Sequence, residues 1–237
     1  MNSPGTQAVV DPSYRTIAPA WHTVVVLMVL LGLSLAGARS QSLPFAGTYG
    51  RAPGYILVMV VEWVMVAFIG YGISRRGFRL PDLIGGDWAR AVAILRDFGI
   101  AIGFLIISSV VLNGLGHLLK AVPNQAIRNA LPSGPLEVVL WLLLSLTAGF
   151  CEETIFRGYF QRQFSAWTRS AAGGIVLQGI AFGAGHGYQG WKYMLVITVF
   201  GTMFGLLAKW RRSLRPGMLA HALQDGVGGL FARHFLR

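Results

Sequence analysis

Charge is what this chain has least of. Only 12% of its 237 residues are Asp, Glu, Lys or Arg, about half of the roughly 25% that a water-soluble surface carries. The shortage runs along the whole chain, which excludes a soluble domain on one anchor and asks for a polytopic membrane protein. Acids are scarcer still, nine against 20 Lys and Arg. In a soluble protein that balance would suggest nucleic acid. Here the basic residues sit between apolar runs, where positive charge orients membrane helices and meets anionic lipid, so the expected partner is the bilayer and not nucleic acid. One cysteine, Cys151, excludes an intramolecular disulfide. Zinc-finger spacing is missing, as is the His-Glu-x-x-His helix of ordinary zinc proteases. There is neither an internal repeat nor a soluble second domain.

What is present is a series of apolar runs. After a polar tail, 1–20, the first run covers Thr23–Ala38. It ends in Ala36-Gly37-Ala38, which mimics a signal-peptidase site, but the start of the chain has no compact positive region, so a retained helix is expected. The second run is Gly54–Ile73. Residues 82–97 then place Trp88, Val92 and Leu95 on one face and Asp87, Arg90 and Asp97 on another, which reads as an amphipathic interfacial helix. A third span, Phe98–Leu119, leads into a loop holding Pro123, Pro132, Ser133, Gly134 and Pro135. Four more follow: Leu136 into 151–157, then Ala171–Gly187, Trp191–Ala208 and Met218–Phe231. The expected fold is all-α, a transmembrane bundle of about seven spans, with an eighth possible. Its divisions are the tail 1–20, N-terminal membrane helices 21–135, and a catalytic membrane core 136–237.

Seven spans imply a topology. Arg75, Arg76, Arg79, Arg162, Arg169, Lys209, Arg211, Arg212 and Arg215 fall in connections after even spans. The opposite connections hold Arg39, Arg51, Lys120, Arg128 and Lys192. Positive charge stays inside, so the N-terminus is expected in the cytoplasm and the C-terminus outside. A compact chain without a targeting extension points to a bacterial or archaeal inner (plasma) membrane.

An ionised side chain at the bilayer centre costs about 2.5–3.5 kcal/mol on insertion scales, so such residues must be paired or useful. Glu153 and Arg157 are four apart, acid first, and can pair on one helical face. Glu152 points about 100° away and is free to face a cavity as a general base. The alternative is a charge cluster at a membrane boundary. In the fifth span Gln178, Phe182 and His186 share a stripe, flanked by Gly179, Gly183 and Gly185, which allow close helix approach. His186 otherwise sits at the interface or bonds a neighbouring helix. In the seventh, His221 and Asp225 share a face. They can fix a tautomer, serve an oxyanion or help bind a metal, or they can glue helices together. One site explains three such segments better than three separate structural roles do.

Together the segments resemble the CAAX-protease and bacteriocin-processing (Abi, CPBP) family of intramembrane proteases. Its Glu-Glu-x-x-x-Arg motif is matched by Glu152, Glu153 and Arg157, its Phe-x-x-x-His by Phe182 and His186, and its His-x-x-x-Asn/Asp by His221 and Asp225. The matched region runs from about Leu136 to Leu230. The resemblance implies an endopeptidase acting on a membrane-attached protein or peptide. Glu152 and His186 would activate a water, His221 and Asp225 would stabilise the oxyanion, and Phe182 would line the substrate cavity. Asp225 departs from the Asn of the eukaryotic prenyl-protein proteases. An ionised carboxylate cannot donate to an oxyanion, so Asp225 is protonated, orients His221 or ligates a metal. A zinc reading would take Glu152, His186 and His221 as ligands. A glutamate-activated water is the reading adopted, with zinc left open.

The text of the spans raises a difficulty: it puts Glu152 toward the cytoplasmic end of span four and His186 toward the outer end of span five. One site needs a longer, tilted span four or a dip at Gly158–Ser170. Among other polar residues, Glu62 reads as a structural hydrogen bond rather than a member of the cavity. Asn113 and His117 read as bonded to neighbouring helices, and His22 and His234 as solvated ends. Two further function classes are a small proton-coupled transporter, disfavoured by the missing inverted repeat, and a noncatalytic membrane partner or immunity factor on the same fold.

Overall fold

A computed structural model of the chain describes residues 14–40 and 51–235. Among these residues the structure is helical, without strands. The helices are α1 (Ala20–Ser40), α2 (Arg51–Ser74), α3 (Leu80–Ile84), α4 (Ala91–Leu119), α5 (Gln125–Ala130), α6 (Pro135–Glu152), α7 (Gln161–Thr168), α8 (Ala171–Gly185), α9 (Trp191–Arg211) and α10 (Arg215–Phe235). Helices thus lie where all seven spans were expected. Five elements are long and apolar enough to cross a membrane: α1, α2, α4, α9 and the continuous helix Pro135–Thr168. The other two fall short for different reasons. α8 has 15 residues, about 22 Å at 1.5 Å per residue, against a hydrocarbon core of about 30 Å. α10 is long enough at 21 residues but carries Arg215, His221, Gln224, Asp225, Arg233 and His234.

The bundle is apolar on both sides. Inside, Ile69, Ile155, Phe156, Phe160, Phe182 and Phe204 are fully buried or nearly so. Outside, Met28, Val64, Ile106, Val110, Leu136 and Leu146 are exposed. A water-soluble surface does not carry so many large apolar groups over several helices. A surface facing lipid does, because the helices satisfy their own backbone groups and need no polar coat.

The expected interfacial helix over 82–97 does not form. Gly85 (φ +61°) and Gly86 (φ +69°) stop α3, and residues 91–97 are instead the first turns of the 29-residue α4. Gly85 is needed because its neighbours close on it. Its carbonyl accepts from Arg215 Nε at 3.0 Å, and Ile84 O accepts from Leu214 N at 2.8 Å. Asp97 does not end a helix because it is not solvated. It is buried, accepts from Trp88 Nε1 at 3.0 Å and pairs with Arg211 at 3.2 Å. The polar face that suggested an interface therefore ties α4 to the end of α9. The proline-containing loop after α4 also differs from expectation, because Asn124 caps a short helix, α5, with its side chain on Ile127 N at 3.1 Å.

α6 does not end at Glu152. It runs without a break through a π-helical stretch, Glu153–Phe160, into α7, giving 34 residues in one helix. The Thr154 hydroxyl takes Phe150 O at 2.7 Å, competing for a carbonyl of the normal ladder where the helix widens. Short π-stretches of this kind often occur at functional sites. The long helix removes the depth difficulty. Counted from the Arg169–Ser170 turn, Glu152 lies 17 residues back and His186 lies 16 residues forward. The two reach one level from opposite directions.

α1 is fastened across this helix. Gln163 accepts from Ile17 N (3.0 Å) and donates to Ala18 O (2.8 Å). His22 was expected in solvent but is buried, stacked on Phe68 at 4.2 Å and bonded to Tyr159 Oη at 2.7 Å. An imidazole at the first turn of an apolar helix finds partners when that helix end is packed rather than frayed. His234 is exposed, as expected.

Candidate active site

The site starts from the buried pair that the four-residue spacing predicts. Glu153 Oε1 lies 2.9 Å from Arg157 Nη1, and both side chains are fully shielded from solvent. Arg157 is held by more than charge. Its guanidinium stacks on Phe182 at 4.2 Å and on Phe204 at 4.7 Å from the ring centroids, and Nη2 reaches Gly201 O at 3.4 Å. Those aromatic faces stabilise a desolvated cation. Phe182, expected to line the cavity, does so while also supporting Arg157 with its ring face.

Glu153 also positions His221. Its Oε1 is 3.0 Å from His221 Nδ1, and its Oε2 lies against Gly217, where a Cβ would stand 3.0 Å away. With Nδ1 engaged, His221 Nε2 is turned toward Asp225 Oδ2 at 3.5 Å and Glu152 Oε2 at 3.7 Å. These separations are too long for good hydrogen bonds. His221 is buried, whereas Glu152 and Asp225 are partly open. Trp141 Nε1 donates to the Asp225 backbone carbonyl at 2.9 Å, holding α10 against α6.

His186 caps α8. Its Nδ1 bonds Phe182 O at 2.8 Å, and its ring meets the Phe182 ring edge-on at 4.8 Å. A carbonyl accepts only, so Nδ1 carries a proton and Nε2 is the nitrogen left without a partner among the described residues. The turn that follows is braced by Ser34, whose hydroxyl donates to Ala184 O (2.7 Å) and accepts from Gly187 N (2.9 Å).

Glu152, Phe182, His186, His221 and Asp225 all line one cavity of about 910 Å³. Its apolar walls include Leu112, Leu131, Leu144, Val196 and Phe200. Glu153 and Arg157 stand behind its wall. Gly149 allows the approach of α10 to α6, since a Cβ there would stand 2.7 Å from Met218 O; Gly183 does the same for α9, 2.5 Å from Met194 O. Gly185 meets only Phe156 at 3.9 Å, so close packing does not depend on it.

Other placements differ from expectation. Glu62, on α2, lines this cavity and a smaller one of about 120 Å³ beside it, together with Glu152 and His186. Asn113 bonds its own helix at Ser109 O (2.7 Å) rather than a neighbour, and with His117 it lines the large cavity. Gln178 is wholly buried and donates to Gly201 O at 2.8 Å, so it serves packing. Tyr188 and Gln224, not singled out by any motif, reach the cavity wall. Tyr188 sits in the turn between α8 and α9, and burial pushes its phenol upward, keeping it a neutral donor. The cavity is thus walled by both halves of the chain. Among the described residues no group of three or more His, Cys, Asp or Glu is arranged to hold a metal ion.

Fold and site together define a helical bundle of membrane type with a buried Glu–Arg pair behind a Glu/His/Asp cavity. The family model for Rce1-like proteins, the type II CAAX prenyl endopeptidase Rce1-like family, matches residues 133–227. This is the CAAX-protease family to which the three motifs pointed, and the matched segment contains all of them. The uncharacterized protein YpbD of Bacillus subtilis (strain 168) is 30% identical over 86 residues, 36% of this chain. The chain spans 42% of the length of that relative. No solved structure matches.

Proposed function

We propose that the chain is an intramembrane endopeptidase that hydrolyses a peptide bond of a membrane-attached protein or peptide. The observation that carries the reading is that Glu152, His186, His221 and Asp225, from three helices, line one apolar-walled cavity. The match of residues 133–227 to the Rce1-like family model supports the reaction class.

In this mechanism Glu152 and the free Nε2 of His186 hold a water. Glu152 takes its proton as the oxygen attacks the scissile carbonyl carbon. The negative charge that develops on the carbonyl oxygen meets His221, doubly protonated and donating from Nδ1 to Glu153 and from Nε2 into the cavity. Asp225 supports that protonated state from 3.5 Å away, which is the orienting role rather than an oxyanion donor. The proton on Glu152 then passes to the leaving nitrogen as the C–N bond breaks. Glu153 and Arg157 keep His221 in place without touching substrate.

The setting is a multi-pass protein of the inner membrane with its N-terminus in the cytoplasm. The basic residues Arg162, Arg211 and Arg215 are joined at one end of the bundle, through Leu83 O, Asp97 and Gly85 O. Arg51, Lys120 and Lys192 are joined at the other, through Asn129 O, Glu137 and each other. That segregation supports the positive-inside orientation. The core 136–237 supplies the catalytic groups, and 21–135 closes the cavity.

The test uses purified protein in lipid vesicles and an internally quenched peptide carrying a farnesylated cysteine. Wild type should cleave it. Glu152→Gln and His186→Ala should lose about 10²–10⁴-fold in rate with melting temperature unchanged. Normal cleavage by a folded Glu152→Gln protein would remove the mechanism.

A further inference from the structure

Glu62 is a carboxyl group in the middle of an apolar helix, and the reaction above does not use it. It is 9% exposed, does not point to lipid, and forms part of the partition between the two cavities with Glu152 and His186. Among the described residues no Lys or Arg pairs with it, and no donor of the chain reaches its Oε2. Glu152 lines the same two cavities, and among the described residues its Oε2 likewise has no hydrogen-bond partner. Two carboxylates can only accept, so a hydrogen bond between neighbouring acids needs a proton. Two adjacent negative charges without a cation would also be costly in a buried site. His221 Nε2 lies 3.7 Å from Glu152 Oε2, whereas among the described residues no cation pairs with Glu62, so the proton is assigned to Glu62. A proton on Glu62 gives Glu152 a donor on the cavity wall.

We propose that Glu62 is a positioning residue of the site: it carries the proton of an acid pair and, by donating it, fixes the Glu152 carboxylate at the cavity wall. This rests on the endopeptidase reading of Glu152. An apolar residue in its place leaves Glu152 free to turn, while an amide keeps the donor.

Two measurements on the purified full-length protein test it. The first needs no substrate. With nine acidic residues in the chain, the infrared carbonyl stretch of a protonated carboxylic acid should be present at neutral pH in wild type and missing in Glu62→Gln. The second is cleavage of the farnesylated peptide. Glu62→Leu should lower kcat about ten- to hundred-fold with little change in KM, the loss expected for a hydrogen bond to a charged group. Glu62→Gln should recover most of that loss. If Glu62→Leu does not fold, Glu62→Gln and the infrared band decide. Absence of the band from wild type, its persistence in Glu62→Gln, wild-type kcat in Glu62→Leu, or a Glu62→Gln as poor as Glu62→Leu would each overturn the proposal. An active Glu152→Gln would instead overturn the endopeptidase reading beneath it.

Discussion

Replacing Arg157 by Ala should damage the fold before it damages the chemistry. The guanidinium lies 2.9 Å from Glu153 Oε1 with both side chains fully shielded. Its loss leaves Glu153 buried with His221 as its remaining partner, and breaking a buried pair in this way costs about 3–5 kcal/mol. The stacking on Phe182 and Phe204 is lost as well, worth about 1–2 kcal/mol for a desolvated cation. At roughly 2–4 °C per kcal/mol for a chain of this size, the melting temperature should fall by roughly 10 °C or more. Folded yield should fall with it. Thermal unfolding in a fixed detergent, followed by tryptophan fluorescence, measures this directly. A double variant, Arg157→Met with Glu153→Gln, removes both charges and should melt above Arg157→Ala, because no buried carboxylate is left uncompensated. Arg157→Ala melting like wild type would refute the reasoning and return Glu153 and Arg157 to a hydrated boundary cluster.

Two further outcomes follow from packing and charge. Gly149→Ala should lower stability by about 1–3 kcal/mol through overpacking, since its Cβ would stand 2.7 Å from Met218 O; Gly185→Ala, with its nearest contact at 3.9 Å, should melt like wild type. Equal melting of the two would show that α10 can move away from α6. Reporter fusions at Gly77 and at the C-terminus should report opposite sides of the membrane, and the same side for both would remove the seven-span topology.

The local chemistry was readable in the chain itself. Sparse charge over long apolar runs determines helices in lipid, because nothing else satisfies the backbone there. Four-residue spacing determines that Glu153 can meet Arg157 and that His221 and Asp225 share a face, since both depend only on helical pitch. Element ends were less legible. The supposed interfacial helix at 82–97 was inferred from a polar face, but Asp97 is polar because it binds Trp88 and Arg211, and Arg211 is far away in sequence. His22 was misjudged for the same reason: its partners, Phe68 and Tyr159, lie on other helices. Glu62 is the sharpest case. One acid in an apolar run signals cost, but not whether a lone hydrogen bond or a catalytic neighbour meets that cost. Only the packing of α2 against α6 brings it to Glu152. Likewise only the continuation of α6 through the π-stretch into α7, with the short return of α8, levels Glu152 with His186. Sequence by itself determined which polar groups lie within apolar helices and which of them share a helical face. Tertiary structure decided which faces meet, because that depends on helix ends, depths and crossings set by contacts between residues distant in the chain.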